Sequence, residues 1–396
     1  MPDLLQSLQG ILIYAASFVV VLSIVVFVHE FGHFQVARWR KVAIDTFSIG
    51  FGKTLIGWRD KQGVQWKVGA LPLGGYVKFA GDADAMSTAP SEQIEDSAAL
   101  AEARAKGLFH AQPLLTRSLV VAAGPVFNFV FAIIAFALIA LIAGRDITDA
   151  DALPARIATV AEDSAAHRAG LQPGDIIVTA GGNSVSNFTE LQTQVAPNAG
   201  QPLPIVVRRG QDTISLTITP ANANGRGILG VSGPMVLPSE QRIQRFGPIE
   251  ALGVGAANTW GIIAQTGAYI GAIFAGRESG DQIAGPLGII NVSGQVATTA
   301  LTAGDDASWI NRLGTLGLAL LGLAAVLSVA VGFVNLLPIP ILDGGHLLFY
   351  AIEAARGGKP LSPAALEWAY RAGIAVMGSL FLFATWNDIT RLLPGS

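Results

Sequence analysis

The sequence predicts a polytopic α-helical membrane protein with four transmembrane helices. A β-hairpin element lies between the first two, and one α+β domain lies between the second and third. Three observations predict this. Hydrophobic residues make up 51% of the 396 and charged residues only 13%, about half the charge of a soluble domain, and mean hydropathy is +0.51. Uncharged runs recur at Ile11 to Val28, Ser118 to Gly144, Ala251 to Gly276, Leu313 to Leu342 and Ala372 to Trp386, most of them near the ~20 residues a helix needs to cross a bilayer. Between the runs, the patterning switches to short β-branched segments and glycine turns over residues 44–80 and 145–235.

Composition excludes several functions. A net charge of −3 gives nucleic acid no basic footprint to bind. The absence of cysteine removes disulfides, thiolate metal sites and cysteine nucleophiles together.

The first segment, about Leu8 to Ala37, ends in Arg38, Arg40 and Lys41. The first ten residues of the chain carry no Lys or Arg, a poor leader for a cleaved signal peptide, so this segment is expected to remain as a membrane helix. Near its end stands Val28-His29-Glu30-Phe31-Gly32-His33. Histidines four residues apart share one helix face. The pattern H-E-x-x-H supplies two imidazole ligands for Zn²⁺ and a glutamate that activates water. The rival reading is two histidines satisfied by backbone carbonyls. Ionisable groups inside an apolar span are costly and mark function by default, which favours the metal.

Thr46 to Gly52 and Lys53 to Trp58 read as strands, Arg59 to Gly63 as a turn, and Val64 to Val68 and Leu71 to Phe79 as returning strands. Unpaired strand edges cannot face lipid, so these hairpins must pack on protein or line a polar cavity. An edge beside a metal site could also present a substrate backbone by strand addition. Residues 82–107 are polar and alanine-rich and read as a surface excursion. In the second span, Gly124-Pro125 and Asn128 predict a close helix contact and a hydrogen bond to another element.

In residues 145–235, strands are expected at Ala155 to Val160, Asp175 to Ala180, Pro204 to Arg209 and Thr213 to Ile218, with helices at Ala165 to Gly170 and Asn187 to Val195. Ala169-Gly-Leu-Gln-Pro-Gly-Asp-Ile-Ile177 and Gly182 to Phe188 resemble a PDZ domain, of which there is one. Gly227 to Val231 reads either as a carboxylate-binding loop or as a closing strand.

The fourth uncharged run closes with Asn335-Leu-Leu-Pro-Ile-Pro-Ile-Leu-Asp343-Gly-Gly-His346. Two histidines leave a zinc site short of its usual third protein ligand, and Asp343 is the candidate. The alternative is a helix-terminus carboxylate. His346 either competes for the metal or supports it from nearby, and His110 and His167 lie in polar surface contexts. If Ala251 to Gly276 crossed the bilayer, Asp343 would emerge opposite the histidines. If it lies at the interface, within a connector spanning 236–312, both motifs share one depth. Four crossings are therefore expected, dividing the chain into 1–144, 145–235, 236–312 and 313–396. Eleven Lys or Arg fall within residues 38–117 against ten over 144–313, which places the 38–117 side in the cytoplasm and residues 145–235 outside.

The ordered set His29-Glu30-Phe-Gly-His33, Leu71-Pro-Leu-Gly-Gly-Tyr-Val77, Ala123-Gly-Pro-Val-Phe-Asn128, the PDZ-like region and Asn335 to His346 resembles the site-2 protease family, in its bacterial branch. The resemblance implies an intramembrane zinc endopeptidase of the bacterial inner membrane. His29, His33 and Asp343 would hold one Zn²⁺ per chain, and Glu30 would be general base and acid. Asn128, Asn335 and the Gly74–Gly75 pair would contact the substrate segment, and strands 44–80 would form a membrane re-entrant element. Expected partners are lipid and single-pass membrane proteins, such as anti-sigma factors or signal-peptide remnants, cut by regulated intramembrane proteolysis after an outer trimming. The rival is a catalytically idle membrane scaffold bearing a PDZ-like domain, which has no need of the two ligand motifs.

Overall fold

A computed structural model describes residues 2–81, 96–223, 225–302 and 308–392. Its contacts divide the chain into two compact units, residues 1–142 with 246–396, and residues 143–245.

The first unit opens with α1 (Pro2–Trp39), apolar on all sides as a buried or lipid-facing helix must be. Strands β1 (Ile44–Arg59) and β2 (Gln65–Phe79) follow. The two strands expected before the turn are one continuous strand, because Gly50 and Gly52, both at φ 82, bend it without ending it. Each of residues 46–49 has partners on both sides: Thr46 faces Lys78 and Gln65, and Ile49 faces Gly75 and Val68. Phe47 and Val64 pack with Phe34 of α1, the Phe47 ring lying 5.2 Å from Phe34 and 4.4 Å from Trp66. The hairpin thus rests on the first span, while residues 52–59 are exposed. Residues 82–95 of the polar excursion lie outside the described residues. The remainder forms α2 (Ser97–Ala105), with the Asp96 side chain accepting from the Ala98 N–H. The second long apolar helix is α3 (Leu114–Ala143).

The unit of residues 143–245 contains β3 (Arg145–Asp146), β4 (Thr159–Val160), α4 (Ala165–Arg168), β5 (Ile176–Ala180), β6 (Asn183–Ser184), α5 (Phe188–Val195), β7 (Leu203–Arg209), β8 (Asp212–Ile218), β9 (Ala221–Ala223), β10 (Arg226–Ile228), β11 (Val231–Ser232) and β12 (Ile243–Gln244). Its central sheet has the order β6-β5-β7-β8, over a core of Ile157, Ile177, Leu191, Ile205 and Ile218. Ser164 and Asn187 cap the two helices. The unit runs beyond residue 235 to Arg245, because β12 returns to pair with β3.

The chain then re-enters the first unit through α6 (Pro248–Phe274), α7 (Pro286–Thr302), α8 (Trp309–Asn335), α9 (Asp343–Ala355) and α10 (Pro363–Leu392). Among the described residues, four helices are long and apolar enough to cross a membrane: Gln9–Trp39, Leu114–Ala143, Trp309–Asn335 and Pro363–Arg391. They are the four expected. Helix α6 does not meet that measure. It lies against α3, where Gly255 abuts the Ile133 carbonyl, and its Ile262 and Ile263 join Ala132, Ala135, Ala325 and Val329.

Helix α7, in a stretch expected to be a connector, packs Gly294 on the Tyr14 ring of α1. Its N-terminus is capped from α10: buried Asp388 accepts from Gly285 N at 3.0 Å and Gly288 N at 2.9 Å. A cap one hundred residues away leaves no local start signal to read.

In the second unit, Asp175 is 1% exposed and accepts from Arg209 Nε at 2.7 Å, Arg209 Nη2 at 2.8 Å and Gln172 N at 2.9 Å. Burial alone would raise its pKa, but the Arg209 guanidinium and the Gln172 N–H hold it below the ordinary carboxylate value. A depressed folded-state pKa gives stability that is full above the unfolded value, about 3.9, and is lost as pH falls through the folded one. Arg209→Ala should therefore destabilise this unit at neutral pH, measured as faster hydrogen exchange of the Val207 and Ile218 amides. The difference from the parent chain should shrink below pH 4.

Candidate metal centre

Helix α1 sets His29 and His33 one turn apart, their Nε2 atoms 3.3 Å from each other. What aims both rings inward is α3. His33 Nδ1 donates to the Val120 carbonyl at 2.9 Å, which leaves Nε2 as a lone pair free to bind a cation. His29 Nδ1 lies 3.1 Å from the side-chain amide of Asn128. Asn128 is fully buried, and its Oδ1 has no partner in the amide orientation that points Nδ2 at the ring. With the amide turned, Oδ1 accepts the His29 Nδ1–H, the buried oxygen is satisfied, and His29 matches His33.

Close approach makes this possible. Gly32 abuts the Ala123 carbonyl. A Cβ on Gly124 would fall 2.6 Å from His33 Cε1 and 2.8 Å from His29 Cε1, so only glycine lets α3 lie across the two imidazoles. The expected helix contact at Gly124 is therefore with the histidines themselves.

The third group comes from the start of α9. After α8 the chain turns through residues 336–342, with Ile341 at φ 98, an uncommon conformation for a β-branched residue. Gly344 abuts the carbonyls of Leu336 and Leu337, and Gly345 abuts that of Ile339. A side chain at either would push the helix start away. Asp343 Oδ2 is thereby held 3.2 Å from His29 Nε2 and 3.5 Å from His33 Nε2. That oxygen is buried without a hydrogen-bond donor.

The three atoms form a triangle with sides of 3.2, 3.3 and 3.5 Å. Ligands around tetrahedral zinc at bond lengths of 2.0–2.1 Å stand about 3.3–3.4 Å apart, so the triangle matches one face of that tetrahedron. Two neutral nitrogens and one carboxylate oxygen are also the donor chemistry zinc takes, with a fourth position left open. The residues fit the ion. Among the described residues, His29, His33 and Asp343 are the one group of three metal-ligating side chains that converge.

Residues 17–380 match the family model described as Peptidase family M50. The chain belongs to peptidase family M50. It is 40% identical over 385 residues to a protein of Rhizobium meliloti (strain 1021) named as a zinc metalloprotease, covering 95% of this chain and 96% of that one. A similarly named protein of Agrobacterium fabrum is 41% identical over 389 residues, at 96% of each chain. Metalloprotease MmpA of Caulobacter vibrioides is 37% identical over 396 residues, again at 96% of each. This M50 protein is a zinc metalloprotease with four candidate membrane-spanning helices, which is the site-2 protease family that the motifs resemble.

Around the M50 triangle, Glu30 follows His29 on α1 and faces β2: a Cβ on Gly75 would meet Glu30 Cγ at 2.9 Å. Gly74, at φ 113, sits against the Phe51 ring. Asn335 donates to the Val331 carbonyl of its own helix at 3.0 Å. His346 packs on the rings of Phe349 and Tyr370 and is not a member of the converging group.

Sequence reasoning missed one pair. Arg117, in the first turn of α3, donates to Glu353 of α9 with Nη2–Oε1 at 2.5 Å and Nη1–Oε2 at 3.2 Å. Its guanidinium also lies 4.9 Å from the Tyr350 ring centre. This bidentate strut joins the helix that aims the histidines to the helix that carries Asp343. Neither residue belongs to a motif, so spacing offered no signal.

Asn128→Ala should weaken zinc retention about 10–100-fold, the usual cost of losing an outer hydrogen bond to a ligand histidine, with secondary structure unchanged; metal content against a chelator series measures it. Glu353→Ala strands a largely buried guanidinium and should cost about 3 kcal/mol, seen as a lower thermal midpoint in detergent.

Proposed function

We propose that this metalloprotease hydrolyses peptide bonds within the membrane-spanning segments of single-pass proteins. One observation carries the reading: the two histidines of the metal-fitting triangle lie on a helix long enough to cross a bilayer, and Asp343 joins them at the start of α9, just after a second such helix. On the 1.5 Å rise per residue, His29 and His33 sit about 15 and 9 Å in from Trp39, where α1 ends. His29, His33 and Asp343 would hold the ion, which when bound polarises the scissile carbonyl and makes water a better nucleophile.

The chain's own residues do the rest. Val120 and Asn128 hold the ligand imidazoles in one tautomer. A Glu30 carboxylate oxygen takes a proton from the attacking water and returns it to the leaving amide nitrogen. A helical substrate hides its carbonyls in i→i−4 bonds and must unwind before attack. The hairpin supports this: β2 passes Glu30 at Gly74 and Gly75, where missing side chains let an extended substrate backbone pair with a strand as a re-entrant element would. Asn335, Pro338 and Pro340 lie where α8 breaks, a region suited to engaging the freed backbone.

Asn128 acts in this reading through His29, since a fully buried amide is in no position to touch substrate. Basic residues at 38, 40, 41 and 117 favour a cytoplasmic location for the end of α1, with the PDZ-like unit on the outer side of a bacterial inner membrane. Helix α6 then enters without crossing. Anti-sigma factors and signal-peptide remnants, cut in regulated intramembrane proteolysis, are the substrate class of such an enzyme.

Glu30→Gln should keep its zinc and lose cleavage of a single-pass model substrate by about 10²–10⁴-fold; near-parental cleavage would overturn the role of Glu30. A cysteine introduced at Glu278, an exposed position in the same loop, should label from outside in intact cells, and labelling only after permeabilisation would refute four crossings.

A further inference from the structure

The last turn of α1 meets the tip of the β1–β2 hairpin. Asp60 organises that tip, accepting from Gln62 N at 2.9 Å and Val64 N at 3.1 Å on one oxygen. Its other oxygen accepts from Trp66 Nε1 and Arg38 Nη1, each at 3.4 Å. Arg38 also lies over the Phe34 ring at 5.1 Å. Trp58 stacks on Trp66 with ring centres 5.7 Å apart and planes 16° off parallel. Arg38, Trp58, Asp60, Lys61 and Trp66 line a cavity of about 430 Å³.

Two features specify its occupant. The first is charge. Both oxygens of Asp60 are engaged by the turn, Trp66 and Arg38, so the side chains left to face a ligand are the rest of the Arg38 fork and the Lys61 ammonium. These are donors only, and they suit phosphate oxygens. The second is position. The span ends at Trp39, which is 66% exposed, and the strand leading to the tip exposes Leu55 at 65% and Ile56 at 62%. Exposed tryptophan beside basic residues at a span end is the composition of the membrane interface, and the exposed apolar strand gives acyl chains a surface to follow. Free phosphate would use only the cations and would leave the tryptophan pair and the apolar strand unused.

We propose that this cavity binds the headgroup of an anionic phospholipid, its phosphate between Arg38 and Lys61 and its glycerol backbone on the Trp58–Trp66 pair. A zwitterionic choline lipid adds a cation that Arg38 and Lys61 repel, so the site discriminates by net charge. The bound lipid ties the hairpin tip to the end of the first span, at the level of the bilayer surface.

The test uses the full chain in detergent, titrated with phosphatidylglycerol or phosphatidylcholine and read by native mass spectrometry and by tryptophan quenching from brominated acyl chains. The parent chain should retain one phosphatidylglycerol in preference to phosphatidylcholine. Lys61→Ala, at an exposed turn position, should weaken that binding about fivefold, the worth of one basic residue at an anionic surface. Trp58→Ala should weaken it too, which diffuse attraction between charges would not produce. Parental affinity in both variants, equal retention of the two lipids, or displacement by millimolar inorganic phosphate would each overturn the proposal.

Discussion

The structure depends on holding three polar ligand atoms within 3.5 Å of one another inside an apolar helix bundle. Each of those groups is unfavourable there alone, because an apolar interior offers no water to satisfy it. Together they form a donor set for one divalent ion, whose charge offsets that of the carboxylate and draws on both nitrogen lone pairs. Much of the surrounding architecture serves to keep those atoms converged.

Small residues and backbone oxygens do most of this. Gly32 and Gly124 bring α1 and α3 close enough for the Val120 carbonyl and the Asn128 amide to reach the far side of each imidazole. Gly344 and Gly345 start α9 directly beneath the end of α8, so Asp343 enters at the depth of the histidines. Arg117 and Glu353 then fix α3 to α9 at the opposite end of the latter helix. The ligand geometry is set by contacts among four helices rather than by any one loop, as a rigid site requires.

The same economy recurs away from the site. Asp388 caps a helix one hundred residues distant, which satisfies backbone donors at a helix start partly buried in the protein. The β1–β2 hairpin buries Phe47 and Val64 on α1 while Leu55, Ile56 and Trp58 remain exposed. One element therefore packs against Glu30 at Gly75 and presents an apolar face to its surroundings.

Local pattern determined a large part of this protein. Uncharged runs marked the four candidate crossing helices because hydropathy is additive along a segment. The i, i+4 histidines marked their shared face because helix periodicity is fixed, and Asp343 stood out as a carboxylate at the end of a matching span. Tertiary structure alone decided what pairwise contact controls. It turned Asn128 toward His29, paired Arg117 with Glu353, built α7 on a cap from Asp388 and carried the second unit on to Arg245. None of these has a sequence signature, because each partner lies scores of residues away and is chosen only when the helices pack.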